Sequence, residues 1–188
     1  SELLTEPILN NMLNSLLTLQ NATTSENKDI NIYENYASKI QTRYKQYDYS
    51  EFKGHESIYN ELLEGFQKYE SENCGKKTVI HGDPVFTNIL INDLNKIKFI
   101  DMRGRVGNEL SICGDWLYDW SKIYQSLIGY DEIMHNSLID LKYKEELIEH
   151  FKKKFINLFG DKSFNNLKNI TKSHLFTLIP LHDNDKCD

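Results

Sequence analysis

Residues 78–101 read TVIHGDPVFTNILINDLNKIKFID, and the reading of this stretch decides the fold. Thr78, Val79 and Ile80 form a short strand, followed by a tight polar loop and then a hairpin. Residues 88–92 (NILIN) make the first arm, Asp93, Leu94, Asn95 and Lys96 the turn, and residues 97–101 (IKFID) the return. With Asn92 paired to Ile97, the register sets Ile89 opposite Ile100 and Asn88 opposite Asp101. Opposed residues of an antiparallel pair hold their Cβ atoms roughly 5 Å apart. An amide oxygen and a carboxylate at that spacing suit Mg²⁺, which wants hard oxygen ligands and takes few of them from protein. Asp83, five residues before Asn88 in the same loop, is left for proton chemistry beside the metal.

His81-Gly82-Asp83-Pro84-Val85-Phe86-Thr87-Asn88 also matches H-x-D-x-x-x-x-N, followed after a short hairpin by Ile100-Asp101. This pattern resembles the core of the aminoglycoside/choline phosphotransferase family, the small-molecule branch of the protein-kinase-like fold. Gly114-Asp115-Trp116-Leu117-Tyr118-Asp119 resembles that family's G-D-P-x-x-D, which opens a helix after the metal loop. The resemblance spans residues 78–128. It implies that Asp83 positions and deprotonates a substrate hydroxyl, while Asn88 and Asp101 hold Mg²⁺ against the phosphates of ATP. It implies that His81 packs and hydrogen-bonds to hold the loop. Asp115 and Asp119 are expected to brace the loop by accepting from its backbone amides, although a helix N-cap alone accounts equally for Asp115. Pro84 restricts Asp83 to extended or turn geometry, which suits a fixed loop. Arg103 departs from the family pattern: it meets a phosphate or an acidic substrate, or it pairs with a neighbouring carboxylate.

At 188 residues the chain suits one domain, 1–188, large enough for a real core. The formal charge of −6 disfavours nucleic-acid polymers and anionic membranes as partners, and leans weakly toward a cationic or neutral acceptor. No apolar run approaches the ~20 residues of a bilayer span, and no basic-plus-apolar leader is present. Cys74, Cys113 and Cys187 fit neither a zinc pattern nor a disulfide framework, which points to the reducing cytoplasm.

Around the central stretch the periodicity is helical. Thr5, Glu6 and Pro7 start a helix over 5–20 with Ile8, Met12, Leu13, Leu16 and Leu17 on one stripe. Residues 21–31 are a loop. A tyrosine-rich stripe (Tyr33, Tyr36, Ala37, Ile40, Tyr44, Tyr47) gives a helix over 32–47, half buried with its hydroxyls reaching water. A third helix covers 55–70. Residues 102–108 read as a flexible loop, and Asp115 opens a helix carrying Trp116 and Trp120 that stops at Gly129. Helices follow over 131–140, 143–159, ended by Gly160, and 163–179, with Lys152, Lys153 and Lys154 as a solvated face. The expected class is mainly α (α+β): helices wrapped around one small β element, as in the C-terminal lobe of a kinase-like phosphotransferase.

The smaller lobe of that fold, with its sheet, glycine-rich phosphate loop and lysine, has no counterpart here. Upstream of His81 the glycines are Gly54, Gly65 and Gly75, too dispersed to cradle a phosphate. The chain is therefore expected to be the larger lobe, partnered by an N-terminal lobe in a parent protein and weakly active or inactive alone. The expected function is ATP-dependent phosphorylation of a hydroxyl on a sugar, aminoglycoside, choline or similar amino alcohol. Two other readings stand beside it. One is a kinase-like binding module without catalysis. The other is a metal-dependent phosphohydrolase using His81, Asp83, His182 and Asp183.

Overall fold

The computed structural model describes residues 4–26, 29–135, 137 and 140–181. His182, Asp183 and Cys187 lie outside the described residues. The chain is mainly helical, with 58% helix and 9% strand, and its strands form small antiparallel pairs, an α+β arrangement.

Helix α1 (Glu6–Gln20) begins where the sequence says it should: the Thr5 hydroxyl accepts from the Ile8 amide and Pro7 sits in the first turn. It buries Leu9, Met12, Leu13 and Leu16. Helix α2 (Ala37–Gln46) starts five residues later than the 32 expected. Asn31 explains the delay: its side-chain oxygen accepts from the Tyr33 amide, and its carbonyl accepts from Glu34. An Asx turn of this kind offers the backbone an alternative to the helix. Tyr36 is buried, not half buried, and its hydroxyl donates to Asp115, so the expectation that this stripe reaches water fails there. Helix α3 is His55–Ser71.

Strand β1 (Lys77–Val79) leads into the 81–88 loop, which ends in a 3-10 turn at Phe86–Asn88. Strands β2 (Ile89–Ile91) and β3 (Ile97–Phe99) form the expected hairpin, but in a different register: Ile89 faces Phe99 and Ile91 faces Ile97. Asn88 thus lies opposite Ile100, whose amide donates to the Asn88 carbonyl at 3.0 Å, and not opposite Asp101. The turn is the cause. Asn92 closes on Lys96 across a three-residue loop, with Asn95 donating to the Asn92 carbonyl and itself left-handed at φ 55°. The Asn92 side chain also accepts from Leu94 and Lys96. This is the three-residue hairpin loop with its last residue in the left-handed region, one residue shorter than the four-residue turn expected from sequence.

Residues 102–108, expected as a flexible loop, instead contribute to a second hairpin, β4 (Arg105–Val106) with β5 (Glu109–Leu110). Strand β6 (Cys113–Asp115), unforeseen in sequence, pairs with β1 so that Lys77 faces Asp115 and Val79 faces Cys113. Helix α4 (Trp116–Leu127) follows at once and is the buried centre of the molecule. Helix α5 covers Tyr130–Met134; of the 131–140 expected, residues 136, 138 and 139 lie outside the described residues. Helix α6 (Leu141–Phe176) joins the two helices expected over 143–159 and 163–179, interrupted at Gly160, whose φ of 82° and ψ of 165° are non-helical. Aromatic rings knit α4 to α6: Trp120 lies edge-on to Phe151, Phe155 and Phe159. Lys154, counted in sequence with the solvated lysines, donates to Asn10 and Asn14 on α1. Cys74 and Cys113 are free thiols. Among the described residues no helix is long and apolar enough to cross a membrane.

Candidate functional site

One stripe of α4 organises the loop between β1 and β2. Asp119, Lys122 and Ser126 are spaced i, i+3 and i+7, so they share a helix face. The Asp119 carboxylate accepts from the His81 amide at 2.7 Å and the Gly82 amide at 2.8 Å. The Lys122 ammonium lies 3.2 Å from Asp83 Oδ1. The Ser126 hydroxyl accepts from the Phe86 amide at 3.0 Å. A loop of this length carries backbone donors that must find partners, and a polar stripe in a buried helix supplies them.

His81 ties this loop to the one after β3. Its Nε2 lies 2.7 Å from the Ile100 carbonyl, which can only accept, so Nε2 carries the proton. Nδ1 then accepts from the Asp83 amide at 3.3 Å. Burial holds the ring below its ordinary pKa, against the pull of the Ile100 carbonyl and of Asp83 and Asp101, so the neutral tautomer persists. The His81 carbonyl also accepts from the Arg103 amide at 2.9 Å. Gly82 is required between them: its φ is 86°, and a Cβ there would sit 2.7 Å from the Arg103 Cβ. Two loops distant in sequence thus run backbone against backbone.

Asp83 emerges from this frame with its side chain 41% exposed; Oδ1 is shielded and meets Lys122 as an ion pair without hydrogen-bond alignment. Asn88 donates through Nδ2 to the Asp83 carbonyl at 2.9 Å. Asp101 is exposed and left-handed, with φ 57°, a backbone region few residues other than glycine adopt. Asp83 and Asp101 both lie close enough to bias the His81 ring. Asn88 joins them through the Asp83 carbonyl and the Ile100 amide, and not by facing Asp101 across the hairpin.

Asp115 does not brace the loop. It stands at the N-cap of α4, and its carboxylate accepts from the Lys76 amide (2.9 Å), Tyr36 (2.5 Å) and Tyr69 (2.9 Å), pinning β1 and the helices before it. Burial pushes it up to about 6, against these donors, which favour the charged form. Asp119 does brace the loop; burial pushes it up to about 7 despite the two amides. Arg103 forms no ion pair among the described residues; its Nη1 donates to the Tyr118 hydroxyl at 3.2 Å, so the neighbouring-carboxylate reading is corrected.

Lys122 and Ser126 escaped the sequence reading. The signal was present: Asp115, Asp119, Lys122 and Ser126 repeat at helical spacing through an otherwise apolar helix. No group of three His, Cys, Asp or Glu side chains converges on a metal-sized site among the described residues. Compared with protein-family models, curated proteins and solved structures, the chain matches none of them.

Proposed function

We propose that this chain is the catalytic and acceptor-binding part of an ATP-dependent phosphotransferase that acts on a hydroxyl of a small molecule. The observation that carries the reading is the 81–88 loop, fixed at His81, Gly82, Asp83 and Phe86, with the half-exposed Asp83 carboxylate held by Lys122 and Asn88 bonded to the Asp83 carbonyl. Asp83 orients the acceptor hydroxyl and takes its proton late, because phosphoryl transfer through a loose transition state needs positioning more than early proton abstraction. Lys122 holds that carboxylate in place as its ion-pair partner. His81 is a positioning residue: both ring nitrogens are spent on backbone groups.

The donor set fits Mg²⁺ as a nucleotide-borne ion. Asn88 Oδ1 and the Asp101 carboxylate are two hard oxygens, and Mg²⁺ in such sites keeps one or two protein ligands with phosphates and waters completing its shell. Bound there, the ion would neutralise charge on the phosphates of ATP. The nucleotide's remaining contacts belong to a lobe preceding this one, in keeping with the scattered glycines upstream of His81.

The test uses the whole gene product. Asp83→Asn lowers turnover by two orders of magnitude or more while nucleotide affinity is nearly kept. Asp101→Ala instead abolishes the Mg²⁺ dependence of nucleotide binding, read by calorimetry with and without the ion. Unchanged turnover in D83N, or Mg²⁺ dependence surviving in D101A, defeats the assignment.

A further inference from the structure

The chain is acidic overall, at −6, yet the ground beside Asp83 is cationic. Three basic side chains from three separate elements act on the Tyr118 hydroxyl, one through a direct hydrogen bond and two through their charge. Arg103, from the loop after β3, donates to it at 3.2 Å. Lys39, from α2, lies close enough for its charge to act on it and is only partly exposed. Lys122, one helical turn along α4, completes the group and spans to Asp83. Of the three, only Lys122 has a carboxylate partner; neither Lys39 nor Arg103 forms an ion pair among the described residues. His174 packs edge-on beneath Tyr118 at 4.8 Å and bonds Ser121, but burial and these same cations hold it neutral, so it adds no charge.

The crowding is felt at Lys39 and at Tyr118. Burial lowers the Lys39 pKa; Tyr118 opposes that, while Lys122 and Arg103 add to it. Burial would raise the Tyr118 phenol, yet Lys39, Lys122 and Arg103 together pull it below its ordinary value. Like charges are not gathered at a partly desolvated place for stability, since each repels the others and loses hydration. The arrangement becomes favourable when an anion joins it, and an arginine fork with an adjacent ammonium suits a phosphate's oxygens.

We infer that the acceptor is itself anionic: a phosphomonoester alcohol whose hydroxyl lies at Asp83 and whose phosphate is seated by Lys39 and Arg103. A phosphate dianion matches the two uncommitted cations, whereas a carboxylate would balance one. This inference rests on the phosphotransferase reading for the role of Asp83, and it reverses the leaning toward cationic acceptors that net charge alone suggests.

The experiment measures binding to the 188-residue chain without nucleotide or Mg²⁺, so it stands apart from catalysis. The probes are glycerol 3-phosphate, glycerate, glycerol, choline and inorganic phosphate, titrated by NMR at constant ionic strength. Glycerol 3-phosphate is expected to bind at least tenfold more tightly than each of the others, with shifts at Lys39, Arg103 and Tyr118. Lys39→Met and Arg103→Gln each weaken that binding tenfold or more; R103Q alters an exposed side chain and so keeps the fold should K39M lose it. Absence of binding, preference for choline or glycerate, or affinity undiminished in R103Q overturns the proposal. Inorganic phosphate binding as tightly as the ester also overturns it, since the cations would then serve the transferred group. If the ester binds but the whole gene product transfers no phosphate to any acceptor, the kinase reading fails and the anion site remains. Transfer to a cationic alcohol does the reverse.

Discussion

The two sides of α4 are built on opposite principles. On one side Trp120 and Tyr124 meet the phenylalanines of α6, and contact there is interchangeable: each ring touches several others. On the other side Asp119, Lys122 and Ser126 each answer one named group of the 81–88 loop. The aromatic side holds the molecule together by buried area, which is non-directional. The polar side contributes little net energy, because each hydrogen bond replaces one to water, but it is costly to leave unmade. The difference explains how a short loop can be rigid while its neighbours are held only by packing.

Breaking the aromatic side should have the largest effect on stability. Phe155→Ala, at a fully buried ring contacting Trp116, Trp120, Phe151, Phe159 and Phe164, is expected to cost about 3–5 kcal/mol. Chemical denaturation would show a lower midpoint with the unfolding slope unchanged. A loss below about 1 kcal/mol would mean that α6 does not pack on α4 as described.

Asp119→Ala tests the polar side. It strands the His81 and Gly82 amides, and with water able to enter from the exposed Asp83 side the expected cost is about 2 kcal/mol. The telling readout is hydrogen exchange: the His81 and Gly82 amides lose protection while those of α6 keep theirs. Equal loss in both places would collapse the distinction between the two sides.

The pH dependence is the finest probe. Folded Asp115 and Asp119 titrate near 6 and 7, above the usual carboxyl value of about 3.9, because burial disfavours their charged forms. The folded state therefore binds their protons more tightly than the unfolded state. Their contribution to stability is full below about pH 4 and is lost as pH rises through 6 and 7. Melting temperature should fall by a few degrees between pH 5 and 8, and Asp119→Asn should flatten the upper part of that decline. A melting temperature that rises across this range in the parent chain would reverse the sign.

Much of this was legible in the sequence. Thr5 and Pro7 marked the start of α1, Gly160 marked the break in α6, and the spacing of His81, Asp83 and Asn88 marked the loop. Each signal is local: a cap, a forbidden backbone region, a short loop with few ways to close. Strand β6 was not legible, because a three-residue strand gains its identity only from β1 lying beside it. Lys39 and Arg103 were not legible as neighbours, because α2 and the loop after β3 are far apart in sequence and each meets the charge of the other only once the chain is folded over Tyr118.

The hairpin shows where the boundary falls. By itself the sequence determined that two apolar arms must return on each other around an asparagine-rich turn, and that Asp83, Asn88 and Asp101 would be near its base. It did not determine the register, since a turn closed by Asn92 can take three residues or four, and a shift of one residue exchanges every facing partner. Tertiary structure decided that, by placing Asn95 in the left-handed region and by letting His81 clasp Ile100. Backbone propensities act over a few residues, whereas the facing of side chains across a pair is set by whatever distant group satisfies the last unmade hydrogen bond.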